Sequence, residues 1–405
     1  MIDPKTFGAV IFRLRKRVGY TQASLAEKLN LSDKTVCKWE NGLGFPDITQ
    51  LPALAHLLGV TVDYLFSEQN IGIAIAGNMI ADSVKSIRVF PQVGMLTNIE
   101  SSKLAIGGCA PNTATDLAVI DGTLPVSVYG RVGDDENGNF MLSKLKGKGI
   151  DVSGVSISTK TPTSYCDVMS LPTSERTFFQ FSGANAEFSP EDVEISTLGC
   201  KIFHIGYILL LDRFDAPDAE YGTVMARFLH SLQKQGIKTS IDAVSSTRTE
   251  DYAEKLRPAF AYSDYVIINE IECCNTWNLD SRRADGTLDV DAVRLAMEKT
   301  LACGVAEKVI VHAKEGGFCL SSNGDFTMLG SLIIPREEIR GSVGAGDAFC
   351  AGCLYALYHG YSDLEMLKFA SAAAACNLFA ENSVDGMRSK KEIEKLSEQY
   401  ERRSI

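Results

Sequence analysis

The segment Gly341-Ser-Val-Gly-Ala-Gly-Asp-Ala-Phe stands directly before an apolar helical stretch, Ala348 to Tyr358, which Gly360 closes. Small residues ahead of a helix let backbone N–H groups come close to a phosphate, and the helix N-terminus adds partial positive charge. Asp347 falls in the first turn and faces the same place. Phosphoryl transfer to a hydroxyl needs a base to take the proton and dipoles to hold the growing negative charge. Asp347 can be that base, and the backbone amides of Gly344, Ala345 and Gly346 can be those dipoles. No Gly-Lys-Ser/Thr follows a Gly-rich loop, and no G-x-G-x-x-G is present, so neither a Walker loop nor a dinucleotide fingerprint competes with this reading.

The elements that must position this segment alternate. Apolar runs at Ile71–Ala76, Pro125–Tyr129, Lys201–Ile205, Lys238–Ile241, Tyr265–Ile268 and Lys308–His312 are separated by helical stretches. That alternation predicts βαβ units: a mostly parallel sheet with helices on both faces. Thr161 to Phe181 instead alternates Thr, Ser and aromatic residues, which predicts an antiparallel excursion from the main sheet. Residues 1–67 differ again and read as short helices. Asp3-Pro4, Thr21, Ser32 and Asp47 are the expected caps, and the helices run over Gln22–Leu29, over Asp33–Asn41 and from Asp47 to Leu58. The boundary falls in a linker of about four residues, Ser67 to Asn70, which spans little more than ~10 Å.

Within the first domain, Ala26 is small where two helices must cross, and Asn30 tolerates the positive φ of a tight turn. Leu25, Leu29, Leu31, Val36 and Trp39 supply the core. Ser32, Asp33, Lys34, Thr35 and Lys38 form a polar face suited to base edges and phosphates, and Gln22 can reach a phosphate. Arg13, Arg15, Lys16 and Arg17 either hold phosphates or make a solvated helix face. Thr21-Gln-Ala-Ser-Leu-Ala, Leu31-Ser-Asp-Lys-Thr-Val-Cys-Lys-Trp-Glu-Asn-Gly and Phe45-Pro-Asp resemble the Cro/repressor-type (XRE-like) helix-turn-helix family. The resemblance implies binding to double-stranded DNA, and a homodimer to match a two-fold operator.

From about residue 71 to 395, several segments resemble, in order, the ribokinase-like (PfkB-type) carbohydrate kinases. Gly77-Asn-Met-Ile-Ala-Asp82 is similar to the segment whose Asp holds substrate hydroxyls. Gly107-Gly-Cys-Ala-Pro-Asn112 is similar to the Gly-Gly-x-x-x-Asn element. Thr163 to Ala186, with Glu175-Arg-Thr-Phe and Gly183-Ala-Asn185, is similar to the small β lid (about 161–183) and the strand returning from it. Asn269-Glu-Ile-Glu272 matches the Asn-x-x-Glu motif. The resemblance implies a ribokinase-like doubly wound fold over 71–400, with ATP and Mg²⁺ as cofactors. Asp82, Gly107, Gly108, Asn112 and Asn185 would hold substrate, Asn269, Glu272, Lys314 and Gly317 would face the cofactor, and Glu272 would organise Mg²⁺ through water.

Three departures stand out. Gly341 replaces an Asp that often helps form a monovalent-cation site, so potassium activation does not carry over. Cys109 replaces the Lys that often follows the Gly pair in ribokinases proper, so ribose does not follow as the acceptor. His312-Ala-Lys-Glu-Gly-Gly317 replaces Thr-x-Gly-x-x-Gly, and Lys314 there either contacts phosphate or faces solvent. Arg176 on the lid either meets an anionic group or is solvated.

Composition sets the frame. The 405 residues, 45% hydrophobic, are too many for one ordinary domain. No stretch approaches the roughly 18 apolar residues that span a bilayer, and the first sixteen residues read as an amphipathic helix rather than a leader; a cytoplasmic protein is expected. The net charge of −11 is uneven: residues 1–68 carry eight Lys/Arg against seven Asp/Glu, leaving 32 against 44 for the rest. An acidic body is a poor nucleic-acid surface, so DNA binding must lie with the N-terminal domain. The eleven cysteines have no framework spacing, and the Cys350/Cys353 pair lacks a second pair to complete a zinc site. Two functions remain: a sugar kinase that also binds DNA, or a transcription regulator whose kinase fold only senses a ligand.

Overall fold

The computed structural model describes the chain except residues 1–2, 67–70, 173–175 and 246–249 and the side chains of Arg17, Asp63 and Glu250. The expected linker Ser67–Asn70, Glu175 of the lid motif and the Arg17 side chain therefore lie outside the described residues. Two compact units result: Met1–Gly72 with Glu194–Lys201, and Ile73–Val193 with Ile202–Ile405.

The first unit holds α1 (Pro4–Val18), α2 (Gln22–Lys28), α3 (Asp33–Glu40), α4 (Leu51–Leu57) and the short α5 (Val62–Leu65). Asp3, Thr21 and Ser32 cap the first three through side-chain oxygens that accept first-turn N–H groups. Asp47 does not open one continuous helix to Leu58. It caps a 3₁₀ turn, Ile48–Gln50, and α4 starts after it with Pro52 in its first turn, a position where the missing N–H costs nothing. Asn30 has φ +54° between α2 and α3. Phe7, Ile11, Leu25, Val36, Leu54 and Leu58 form a fully buried centre, while Leu31 is half-buried at its edge. One ion pair is built into this core. Arg15 donates from Nε and Nη2 to Glu40 at 2.5 and 2.7 Å and from Nη1 to the Tyr20 carbonyl at 2.8 Å. With both side chains about 95% buried, neither charge can be lost alone without stranding the other.

The second unit is organised on a nine-stranded sheet. Its strands are β1 (Ile73–Ala76), β4 (Val126–Gly133), β5 (Asp151–Ser158), β8 (Ile202–Ile208), β11 (Lys238–Ala243), β12 (Tyr265–Asn269), β13 (Lys308–His312), β14 (Gly316–Ser321) and β15 (Phe326–Gly330). The order is β15-β14-β13-β12-β11-β8-β1-β4-β5. All pairs from β5 to β13 are parallel, and β14 and β15 close the edge as antiparallel strands. Fully buried runs such as Ile73–Ala76 are what a sheet covered on both faces demands. One face carries α6 (Cys109–Ile120), α7 (Glu136–Gly147), α12 (Ala345–His359), α13 (Asp363–Asn377) and α14 (Lys390–Gln399). The other carries α8 (Val224–Gln233), with α9 (Glu250–Phe260), α10 (Glu270–Asn275) and α11 (Val290–Ala302) further along the chain. Phe228 of α8 meets Phe203 of β8 edge-on, with ring centroids 5.6 Å apart.

The antiparallel excursion contains β6 (Tyr165–Ser170) and β7 (Arg176–Phe181), but it is half of a larger sheet. The strands β2 (Ile80–Ile87) and β3 (Ile99–Gly107) complete the order β3-β2-β6-β7. Sequence pattern gave no sign of β3, because Glu100-Ser-Ser-Lys103 is polar and exposed throughout. A short ribbon, β9 (Pro217–Asp218) with β10 (Gly222–Thr223), precedes α8.

Candidate active site

Parallel strands deliver their C-terminal ends, and the loops after them, to one edge of the sheet, where ligands bind in open α/β folds. Here the spatially adjacent β1, β8, β11, β12 and β13 end at Ala76, Ile208, Ala243, Asn269 and His312. The N-terminus of α12 reaches the same edge. A cavity of about 270 Å³ opens there, lined among others by Tyr207, Asp242, Glu272, His312, Gly344 and Asp347.

Asp347 occupies the first turn of α12 and is 5% exposed. Asn112 Nδ2 donates to its Oδ2 at 2.8 Å, and the Tyr207 hydroxyl donates to Oδ1 at 3.2 Å. Burial, with Asp242 and Asp82 adding like charge, pushes the carboxyl up to about 7, although the Asn112 and Tyr207 bonds pull the other way. A carboxylate tuned to that value changes protonation near neutral pH, as a proton acceptor should. Gly344 caps the helix with φ +80°, and a Cβ there would lie 2.6 Å from the Ser383 carbonyl oxygen. Ala345 is the first residue of the helix, and Gly346 lines the cavity. The Ala345 N–H donates to the Ser342 carbonyl at 3.3 Å, and helix geometry leaves the Gly346 N–H without an intrahelical carbonyl, so that it can point at an anion.

Tyr207 is held by strain and by a carboxylate. Its φ is +59°, an uncommon conformation for a bulky residue. Its N–H donates to Asp242 Oδ1 at 2.5 Å, and Asp242 sits where the β11 register shifts by a bulge.

The expected substrate residues meet beside this cavity. Gly108 has φ +88°, and a Cβ on it would fall 2.2 Å from the Asn78 carbonyl oxygen. A Cβ on Gly107 would fall 2.1 Å from the Asp82 carboxylate. Asp82 rises to about 6 through burial, against the pull of the Arg176 charge. Asn185 Oδ1 accepts from the Met79 N–H at 3.0 Å, anchoring the loop after β1. Three buried amide atoms in these segments, Asn78 Nδ2, Asn112 Oδ1 and Asn185 Nδ2, have no partner among the described residues. Buried amide groups are rarely left so, and two donors with one acceptor match the needs of sugar hydroxyls.

Asn269 and Glu272 form a capping box at the start of α10. Glu272 Oε2 accepts from the Asn269 N–H at 3.0 Å, and Oε1 accepts from Asn269 Nδ2 at 2.7 Å and Ser245 Oγ at 3.0 Å. Burial, together with Asp242 and Glu270, raises its carboxyl to about 8. Lys314 lies exposed in the β13–β14 turn, and Gly317 is buried in β14, where a Cβ would meet Leu367 and Phe349 at 3.1 and 3.2 Å. Neither lines the cavity. Arg176 Nη2 donates to the Glu381 carbonyl at 2.8 Å. Sequence reading missed Asn78, Tyr207, Asp242 and Ser245. The one available signal was position: Asp242 is a lone acid at the end of an apolar run.

In the first unit, Lys34 and Lys38 are exposed and in no ion pair among the described residues. Ser32 Oγ is taken up as the α3 cap and bonds Thr35 Oγ1 at 2.9 Å, and Asp33 Oδ1 accepts the Lys34 N–H at 2.8 Å. Gln22 Nε2 donates to Glu40 at 2.7 Å, which fixes its side chain at the start of α2.

Residues 71–390 match the pfkB family carbohydrate kinases, and residues 11–65 match a helix-turn-helix family. A ribokinase from Arabidopsis thaliana is 26% identical over 326 residues, covering 80% of either chain. A 5-dehydro-2-deoxygluconokinase from Geobacillus kaustophilus is 23% identical over 316 residues, covering 73% of this chain and 85% of the relative. Among solved structures, Arabidopsis thaliana ribokinase complexed with ribose and ATP superposes with a TM-score of 0.67 at 21% identity, covering 81% of this chain and 99% of that one. A putative ribokinase II from E. coli in complex with ATP and Mg²⁺ gives 0.64 at 18% identity, covering 81% and 99%. The ribokinase-like fold is thus shared. No helix among the described residues is long and apolar enough to cross a membrane. With the kinase match running through most of its length, the chain belongs to the pfkB family of carbohydrate kinases and carries a helix-turn-helix domain ahead of the kinase domain.

Proposed function

We propose that the second unit transfers the γ-phosphoryl group of ATP to a hydroxyl of a sugar or sugar-like molecule, and that the first unit binds double-stranded DNA. The observation that carries the kinase reading is Asp347: a buried carboxyl poised near pH 7, at a helix N-terminus, fixed by Asn112 and Tyr207. Asp82, Gly107, Gly108, Asn112 and Asn185 orient the acceptor. Its hydroxyl oxygen forms a bond to the γ-phosphorus as its proton passes to Asp347. The bond from phosphorus to the bridging oxygen breaks, and ADP leaves with the electron pair. The α12 amides of Gly344, Ala345 and Gly346 hold the transferring group's charge.

The cavity fits a magnesium ion by its chemistry. Asp242, Glu272 and Asp347 bring three carboxyls into it, and no Lys or Arg among the described residues lines it. Bound Mg²⁺ would supply the positive charge that a triphosphate needs there, and Glu272, whose oxygens accept three protein hydrogen bonds, would hold it through water. Gly341 has no side chain to offer a monovalent cation.

The relatives' names, ribokinase and 5-dehydro-2-deoxygluconokinase, support sugars and sugar acids as first acceptors to try. For DNA, Lys34 and Lys38 with Ser32, Asp33, Thr35 and Gln22 form the contact face, and a homodimer would match operator symmetry. The test is ADP release with Mg-ATP across pentoses, hexoses, sugar acids, sugar phosphates and nucleosides, with Asp347→Asn beside the wild type. Turnover on one class, absent in the variant, is expected. No turnover on any class, with DNA binding that responds to a sugar, would replace this reading with that of a ligand-sensing regulator.

A further inference from the structure

His204 of β8, Asp242 of β11 and Cys350 of α12 are all buried and stand together, with one ligand-type atom of each within 4.8 Å of the others. His204 Nε2 is 3.3 Å from Asp242 Oδ2 and 3.6 Å from Cys350 Sγ. The first distance is long for a charge-assisted hydrogen bond, which runs at about 2.7–2.9 Å. Both distances fit another geometry. A tetrahedral zinc ion, with bonds of about 2.0 Å to nitrogen and oxygen and about 2.3 Å to sulfur, sets its N···O edge at about 3.3 Å and its N···S edge at about 3.5 Å. We propose that His204, Asp242 and Cys350 form a binding site for a thiophilic divalent cation of the zinc type, distinct from the magnesium that accompanies ATP.

The atoms around the three ligands are arranged as a metal site needs. His204 Nδ1 is bonded to Ser240 Oγ at 3.0 Å, which orients the ring and leaves Nε2 to face the cluster. The other Asp242 oxygen, Oδ1, accepts the Tyr207 N–H, so Oδ2 is the one turned to the site. Asp242 and Cys350 both line the cavity, which gives an ion a path in and leaves a fourth position toward it. A nitrogen, oxygen and sulfur donor set selects zinc or cobalt over magnesium. The sequence could not announce this site, because its ligands come from three separated segments. Cys350 serves there without Cys353.

The test is a Co²⁺ titration of the chelator-stripped, reduced full chain, without nucleotide, in excess Mg²⁺. A single equivalent should produce a thiolate-to-cobalt charge-transfer band in the near ultraviolet and intense tetrahedral bands in the visible, both displaced by Zn²⁺. The band should vanish in Cys350→Ala and persist in Cys353→Ala and in the half-exposed pair Cys37→Ala/Cys303→Ala. No band in the wild type, or an unchanged band in Cys350→Ala, overturns the proposal. A second readout needs no variant: Zn²⁺ should slow alkylation of Cys350 in the wild type while leaving Cys376 unaffected, and equal rates at Cys350 with and without Zn²⁺ would equally refute it. Neither readout depends on kinase activity.

Discussion

Replacing Asp347 by Asn should abolish phosphoryl transfer and, at the same time, stabilise the second unit. The carboxyl is raised from the ordinary 3.8 to about 7, chiefly by burial. At about 1.4 kcal/mol per unit, ionising it in the folded protein costs roughly 4 kcal/mol above pH 7. The sign follows from proton counts. Between about pH 4 and pH 7 the folded state keeps a proton that the unfolded state has lost, so stability falls as pH rises through that window and then levels off. Asn has no proton to lose and keeps a similar shape. The variant should therefore exceed the wild type by about 4 kcal/mol near pH 8 and by only about 1.5 kcal/mol near pH 5. Of the two tryptophans, Trp39 lies in the first unit and Trp277 in the second. Urea unfolding followed by Trp277 fluorescence in a Trp39→Phe background isolates the second unit, in buffer free of metal and nucleotide. A gap that stays constant with pH, or grows toward acid, would refute the assignment of a strained, poised carboxyl at Asp347.

Three further outcomes are expected. Asn112→Ala removes a hydrogen bond to a carboxylate, a bond type worth about 1.5–3 kcal/mol; kcat/KM should fall about ten- to a hundredfold, and the rising limb of the kcat–pH profile should move to higher pH, because Asp347 loses a group that favours its ionised form. Arg15→Ala strands the buried Glu40 and should destabilise the first unit by about 3–5 kcal/mol, read as an earlier melting step, whereas joint replacement of both by Met and Leu should recover most of the loss. Lys34→Ala/Lys38→Ala should weaken DNA binding across all sequences and lower the slope of log K against log salt by about 2, measured by fluorescence anisotropy on duplex DNA.

How much of this was legible in the sequence depends on whether a residue's role is local. Asn30 could be read as a turn and Thr21 and Ser32 as caps, because each acts on its own neighbours. The strand runs stood out because a sheet buried on both faces demands unbroken apolar residues. Gly344 and Asp347 were legible as well, since a helix start displays its chemistry in consecutive positions. The strand β3 was hidden because it is exposed and polar, paired along only one edge by β2. Tyr207 was hidden because its role depends on a left-handed backbone that Asp242, thirty-five residues on, holds in place. The Asn269–Glu272 pair was read for its chemistry, and its capping geometry shows why the two residues sit three apart.

The strand order also bears on how the protein is made. The central strand β1 leaves the ribosome first among the nine, yet its neighbours β4 and β8 and the helix α12 come much later. Every side chain of the first unit's core, Phe7 to Leu65, is by then already synthesised. Contacts close in sequence form early, and those far apart must wait for long loops to close. On the emerging chain the helix-turn-helix domain can fold while β1 still lacks both of its partners. The cavity around Asp347 is completed only later, when α12 docks. Pulse-labelled hydrogen exchange during refolding should show protection in α1 to α4 before any in β1.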